Sequence, residues 1–85
     1  MPKLVGAGLE CRHGTVSKDA PVKFHVHRGA HFLTACGIIH VQTKDRGEIR
    51  MNTGDVLLVW PEEEHQLTVP HEPARYSCVG IEGLL

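Results

Sequence analysis

His25-Val26-His27-Arg28-Gly29-Ala30-His31 sets two histidines one residue apart and a third four positions further on. Alternate residues of an extended strand face the same side, so His25 and His27 present paired imidazoles, and a short connection through Arg28-Gly29-Ala30 brings His31 back on the adjacent strand. Downstream, Gly54-Asp55-Val56-Leu57-Leu58-Val59-Trp60-Pro61-Glu62-Glu63-Glu64-His65 ends an apolar run with a proline and carries a fourth histidine to the start of another strand. Imidazole is a ligand for zinc, copper, iron and nickel, and coordination at about 2.0 to 2.1 Å for zinc demands close convergence. An H-x-H pair by itself arises often by chance. His31 and the Pro61 to His65 element give it weight, provided that the chain closes as a barrel.

Outward from these stretches the chain alternates with period two. Val5, Ala7, Leu9 and Cys11 alternate with glycine and glutamate from Leu4 to Cys11, and Arg12 to Lys18 extends this as an edge strand before the Lys18-Asp19-Ala20-Pro21 turn. Val22 to His27 is a second strand with Val22, Phe24 and Val26 on one face and Lys23, His25 and His27 on the other. That parity sends the histidines inward only in a barrel with a partly polar lumen, the three apolar residues being covered from outside. His31 to Gln42 reads as one long strand whose more apolar face holds His31, Leu33, Ala35, Ile39 and Val41. Glu48 to Asn52, Val56 to Trp60, His65 to Val69 and Ala74 to Glu82 follow, separated by Gly, Pro and Asp turns. Val56 to Trp60 is apolar on both faces, as in a fully buried strand or one that meets a partner subunit, and Glu62-Glu63-Glu64 reads as a solvated loop. No period of three to four is sustained, so helix is nearly absent, and six to eight short antiparallel strands indicate an all-β sandwich or barrel.

An 85-residue chain supports one domain, residues 1-85, and buries only about 60 to 65 % of the surface that its unfolded form exposes. Hydrophobic residues make up 41 % of it, yet the only aromatics are Phe24, Phe32, Trp60 and Tyr76. The core is therefore thin and aliphatic, and would gain from a bound metal or a homodimer interface. The formal net charge of −1, spread without a basic stripe, argues against a nucleic-acid partner. The longest apolar run, Val56 to Trp60, is far short of the roughly 20 residues that span a bilayer, and the N-terminus lacks a signal-peptide pattern. No membrane partner is expected, and the cytoplasm is the expected compartment. Cys11, Cys36 and Cys78 are odd in number and lack a C-x-x-C spacing, which reads as buried free thiols. Seven histidines in so short a chain point instead to metal or proton chemistry.

His25-x-His27-x3-His31-x5-Gly37, followed by Gly54-Asp55-x5-Pro61-x3-His65, resembles the two motifs of the cupin superfamily across roughly residues 21 to 69. The resemblance implies a small cupin-like β-barrel or jelly roll with one metal ion held inside by residues of both motifs. It matches His25, His27 and His65 to the three usual histidine ligands and His31 to the position of a glutamate. The result is an all-histidine set of the kind found in small bacterial cupins, manganese-binding ones included. The implied cofactor is one divalent transition-metal ion: manganese, iron, nickel, copper or zinc. Glu62 departs from a position that is glycine in many cupins. So few residues precede the first motif that closing strands would be missing or donated by a partner.

Imidazole in place of a carboxylate removes one negative charge, which leaves the metal more electron-poor and its bound water more acidic. An octahedral ion would keep two positions for water, dioxygen or a bidentate substrate, whereas a tetrahedral zinc would be saturated and structural. The resemblance thus implies an enzyme of the dioxygenase, isomerase or lyase type acting on a small oxygen-bearing substrate or on dioxygen. The alternative is a non-catalytic small-molecule-binding or sensory module, and fold alone does not choose between them. Leu33, Ala35, Leu67 and Val69 share parity with the histidines and are expected around the metal. Tyr76 and Cys78 share a face of the last strand and are the candidates for a proton donor and for a group behind the ligands. Trp60 reads as a core or dimer anchor, Lys23 as a lysine reaching solvent, and His13, His40 and His71 as surface histidines.

Overall fold

Two sheets of four antiparallel strands face each other across an aliphatic core in the computed structural model, which describes residues 8–82. The strands are β1 (Gly8–Val16), β2 (Val22–His25), β3 (Ala30–Cys36), β4 (Ile39–Thr43), β5 (Gly47–Met51), β6 (Val56–Val59), β7 (His65–Thr68) and β8 (Ala74–Glu82). One sheet has the order β1-β8-β3-β6 and the other β2-β7-β4-β5. No helix occurs among the described residues. The result is the all-β jelly roll expected from the turn spacing.

Three expectations about the strands need correction. The run from His31 to Gln42 is two strands in opposite sheets, because Gly37, at φ 105°, adopts a backbone conformation closed to most residues and turns the chain between β3 and β4. Parity survives the break, since His31, Leu33 and Ala35 of β3 and Ile39 and Val41 of β4 are all buried. The first strand is continuous from Gly8 and pairs with β8 along its whole length, from Gly8↔Glu82 to Val16↔Ala74. The chain itself supplies this sheet's edge strand, as expected of Arg12 to Lys18, which corrects the expectation that such a strand is missing or donated by a partner. The expected strand residues Leu4 to Ala7 lie outside the described residues. In β2, finally, the register with β7 shifts between Val22 and His25. This irregularity lets both residues line the interior although they are three apart, and Phe24 turns outward at 45 % exposure. The covering of Phe24 and Val26 that simple alternation required is absent, as Val26 is also exposed.

Leu33, Ile39, Val41, Met51, Val59 and Leu67 form the centre of the core. Each such side chain contributes about 1.5 to 3 kcal/mol by leaving water. β6 is not buried on both faces: Val59 is covered and Leu57 packs on the core, but Val56 and Trp60 are exposed, so Trp60 is no core anchor. On the outer face of the same sheet, the register places Cys11, Val79, Phe32 and Leu58 side by side across all four strands. All three cysteines are free, as expected, but Cys11 and Cys36 are exposed rather than buried because their strand parity points outward.

The Gly54-Asp55 turn lies at the end of the barrel remote from the histidines, since β6 begins opposite Thr34 and reaches His31 only at Val59. Gly54 N donates to Ala35 O at 3.0 Å, and Asp55 Oδ2 accepts from Asn52 N at 2.8 Å. Gly54-Asp55 is thus turn chemistry between β5 and β6, setting where β6 begins and so where Pro61 and His65 fall.

Candidate metal centre

The local backbone fixes the histidines before any ion is considered. His25 Nδ1 lies 2.7 Å from Lys23 O, His31 Nδ1 3.0 Å from Gly29 O, and His65 Nδ1 2.8 Å from Glu63 O. A carbonyl oxygen only accepts, so each Nδ1 carries the proton and donates it. Each Nε2 is left with a free lone pair, the neutral tautomer that coordinates a metal. In all three cases the acceptor is two residues earlier in the chain.

Pairing of His25 with His65 across β2 and β7 sets their ring centroids 4.2 Å apart. His27, just beyond β2, stands with its ring 4.7 Å from that of His25 and 5.2 Å from that of His65. One ring nitrogen from each of the three lies within 4.8 Å of the others. His31 is close to this group without converging on it. Its ring stacks on that of His27 at 3.8 Å and 26°, above Gly80, its partner across the β3–β8 pairing. A Cβ at Gly80 would come within 2.7 Å of His31 Cε1 and 2.8 Å of Cδ2, so the missing side chain makes the ring's seat. The structure therefore gathers three of the four expected ligands and stacks the fourth beside them.

Two observations fit a metal ion. His31 Nε2 is buried with no hydrogen-bond partner, a rare state for a polar atom and one that a bound ion or its water would relieve. His27 and His65 are also held neutral. Burial, reinforced by the positive charge His31, His25, His65 and Arg12 would add, lowers the His27 pKa from 6.5 to about 4. Burial likewise lowers that of His65, against the opposing pull of its bond to the Glu63 carbonyl. Ligands already deprotonated at neutral pH bind metal without competing for a proton.

The loop before His65 corrects a second reading. Glu63 is 4 % exposed, so the three glutamates are not a solvated run. Its carboxylate accepts from Arg46 Nε at 2.8 Å, from Arg46 Nη2 at 2.7 Å and from Trp60 N at 3.2 Å. Arg46 Nη2 also donates to Leu58 O at 2.9 Å. The Arg46 bonds outweigh burial and hold the Glu63 carboxyl below its ordinary range. One residue earlier, Glu62 N donates to His27 O at 2.8 Å, which ties the loop to the other histidine segment. Glu62 takes φ 63°, the left-handed conformation that glycine adopts without cost, in keeping with the position where the resemblance expects glycine. Arg46 sits in the β4–β5 turn, and no local pattern announces its partnership with Glu63.

The four histidines open onto a cavity of about 390 Å³ walled by Val22, Leu33, Val59 and Leu67 and reached by Arg12, Tyr76 and Cys78. Leu33 and Leu67 thus stand where expected, whereas Ala35 and Val69 belong to the core away from the cavity. Burial raises the Cys78 thiol to about 11, so it is a neutral wall group at neutral pH. The Tyr76 ring covers Gly14 on β1, where a Cβ would stand 2.8 Å from its hydroxyl, and it lines the cavity from that side. Lys23 is exposed and contributes its carbonyl to His25. His13 and His71 are exposed, and His40 is half-buried 3.5 Å from Glu48. Arg12 was not anticipated; its parity with Glu10 on β1 and its pairing with Cys78 on β8 are what place it at the cavity.

No family model matches the sequence, and no curated protein is significantly similar to it. Solved structures are similar. The Fe(II) form of HppE superposes with TM-score 0.73 at 28 % identity, over 85 % of this chain and 42 % of its own. An RmlC-like cupin from Methanocaldococcus jannaschii with a double-stranded β-helix fold gives 0.76 at 11 % identity, over 85 % and 68 %. The DMSP lyase DddQ from Ruegeria pomeroyi gives 0.73 at 12 %, over 93 % and 40 %. The chain has the fold of the cupins. It spans about two-fifths of the length of the HppE and DddQ chains, and it carries a histidine group, His25, His27 and His65, placed to hold a metal.

Proposed function

We propose that this cupin is a metal-dependent enzyme in which His25, His27 and His65 hold one divalent transition-metal ion and His31 completes the set. It acts on a small oxygen-bearing substrate or on dioxygen, in the manner of a dioxygenase, isomerase or lyase. The observation that carries this is the convergence of the three imidazoles in a walled cavity, with the Nε2 lone pairs of His25 and His65 fixed by their Nδ1–carbonyl bonds. Bound there, the ion would supply Lewis-acid or oxygen chemistry. The chain's own part is to orient the imidazoles through Lys23, Gly29 and Glu63 carbonyls and to limit water with aliphatic walls. Likeness to HppE in its Fe(II) form and to DMSP lyases supports the reading without fixing the metal or reaction.

The test is turnover. Protein loaded separately with each of the five candidate metals is offered a panel of small hydroxy and keto compounds, charged and neutral, in air and under argon. Metal-dependent product that falls at least about a hundredfold in a His27→Ala, His65→Ala variant is the expected result. Tight metal binding without turnover, together with a ligand-dependent change of oligomeric state, would favour the sensory module instead. A second copy of the chain is the proposed occupant of the outer row Cys11, Val79, Phe32 and Leu58, since an apolar row across four strands is surface that a thin-cored protein gains by covering.

A further inference from the structure

The charge of the cavity is unbalanced. Its wall holds four histidines and the Arg12 guanidinium, and no aspartate or glutamate side chain. With a divalent ion on neutral imidazoles, the lining would carry about three positive charges in a site walled by Val22, Leu33, Val59 and Leu67. Charge held next to apolar walls is costly unless a counter-charge joins it. Arg12, at the open rim of the cavity with its side chain 61 % exposed, is reached by water and by one carboxylate, Glu10, two residues away on the same face of β1, which engages the Nε edge of the guanidinium. That geometry leaves the two terminal Nη groups for a planar, two-oxygen acceptor. Among the described residues, no carboxylate lines the cavity beside the ion.

We propose that the cavity takes a small organic anion, a carboxylate with a short apolar body, whose acid group is received by Arg12 while its other oxygen-bearing end faces the histidines. The inference deepens the metal-enzyme reading and rests on it for the total charge. Its Arg12 part rests on the place of Arg12 in the cavity lining and needs no ion. The size fits: about 390 Å³ is at the low end of ligand pockets, room for a few heavy atoms beyond the acid. The aliphatic wall suits the body of such a molecule. Arg12 is a binding and specificity residue here, because it touches the ligand's acid group and no reacting atom.

The experiment is calorimetric titration of metal-loaded protein with three- to six-carbon 2-hydroxy acids and, in parallel, with their neutral amides. Wild-type protein is compared with Arg12→Gln and Arg12→Lys, metal content being measured for each. At least one acid should bind about tenfold or more tightly than its amide, and Arg12→Gln should remove most of that preference at unchanged metal content. Arg12→Lys should keep part of it, since it retains the charge and loses the fork. Equal affinities for acids and amides, an undiminished preference in Arg12→Gln, or no measurable acid binding by metal-loaded protein would each overturn the proposal. Failure of the metal reading is separately visible as absence of metal in the wild type. An Arg12-dependent preference seen in metal-free protein would then support the Arg12 contact without the ion.

Discussion

Replacing Arg46 by methionine tests the claim that the β4–β5 turn holds the His65 loop. The Glu63 carboxylate is almost wholly buried, whereas the Arg46 side chain is 33 % exposed, so the two halves of the pair are not equivalent. Removing Arg46 deletes bonds of 2.8 and 2.7 Å and strands a buried carboxylate with only Trp60 N beside it. Breaking a buried pair from that side costs about 3 kcal/mol. Glu63→Gln keeps one acceptor oxygen for a guanidinium that water can still reach and that also donates to Leu58 O, and should cost only about 1 to 2 kcal/mol. For a domain of this size the Arg46→Met loss corresponds to a fall in Tm of roughly 12–24 °C. Denaturant unfolding measures both, and the double variant Arg46→Met, Glu63→Leu should recover part of the loss.

Acid gives the same argument a sign. In the wild type the depressed Glu63 carboxyl contributes stability that is present above the ordinary carboxylate pKa and lost as pH falls through its lower folded value. In Arg46→Met the stranded carboxyl gains by taking up a proton, so the deficit against wild type should shrink between pH 7 and about 4.5. A variant within about 0.5 kcal/mol of wild type at pH 7, or a deficit that grows on acidification, would refute the reasoning.

Glu62→Gly should raise stability by up to about 1 kcal/mol, because relief of the left-handed strain at φ 63° exceeds the added entropy of the unfolded chain; denaturant unfolding checks it, and destabilisation would contradict it. Metal-free protein should lose stability as pH falls from 6.5 to 4, because His27 takes a proton in the unfolded chain throughout that range but in the folded one only near pH 4. The loss from this residue is read by unfolding across pH and should disappear in His27→Phe. Phe32→Glu, placed in the middle of the exposed apolar row, should convert a dimer to a monomer in sedimentation equilibrium at unchanged far-UV dichroism; a wild type that is already monomeric rejects the interface.

Parity was the legible part of this chain. Leu33, Ala35, Ile39, Val41 and Leu67 are buried as period two requires, and Ala74 to Glu82 is a strand at its expected bounds. The histidine spacing announced His25, His27, His31 and His65 together, and of these the structure groups His25, His27 and His65. What did not show was any feature that depends on a backbone departure or on a distant partner. The shifted register in β2 puts Val22 and His25 on one side, which strict alternation forbids, and Gly37 moves β4 to the other sheet without disturbing the apolar pattern. Glu63 belongs to an acidic run by sequence and to the interior by virtue of Arg46, which is 17 residues away. His31 matched a ligand position, yet its ring is seated over Gly80, a close approach that only the β3–β8 register creates.

The central claim is tested most directly by elemental analysis of tag-free protein purified without added metal, beside a His27→Ala, His65→Ala variant and a His31→Ala variant. About one equivalent of manganese, iron, nickel, copper or zinc per chain in the wild type and none in the double variant is expected, with His31→Ala retaining metal at reduced affinity. No metal in the wild type, even after anaerobic reconstitution, would contradict the account and leave the cavity, rather than its histidines, as the feature to explain.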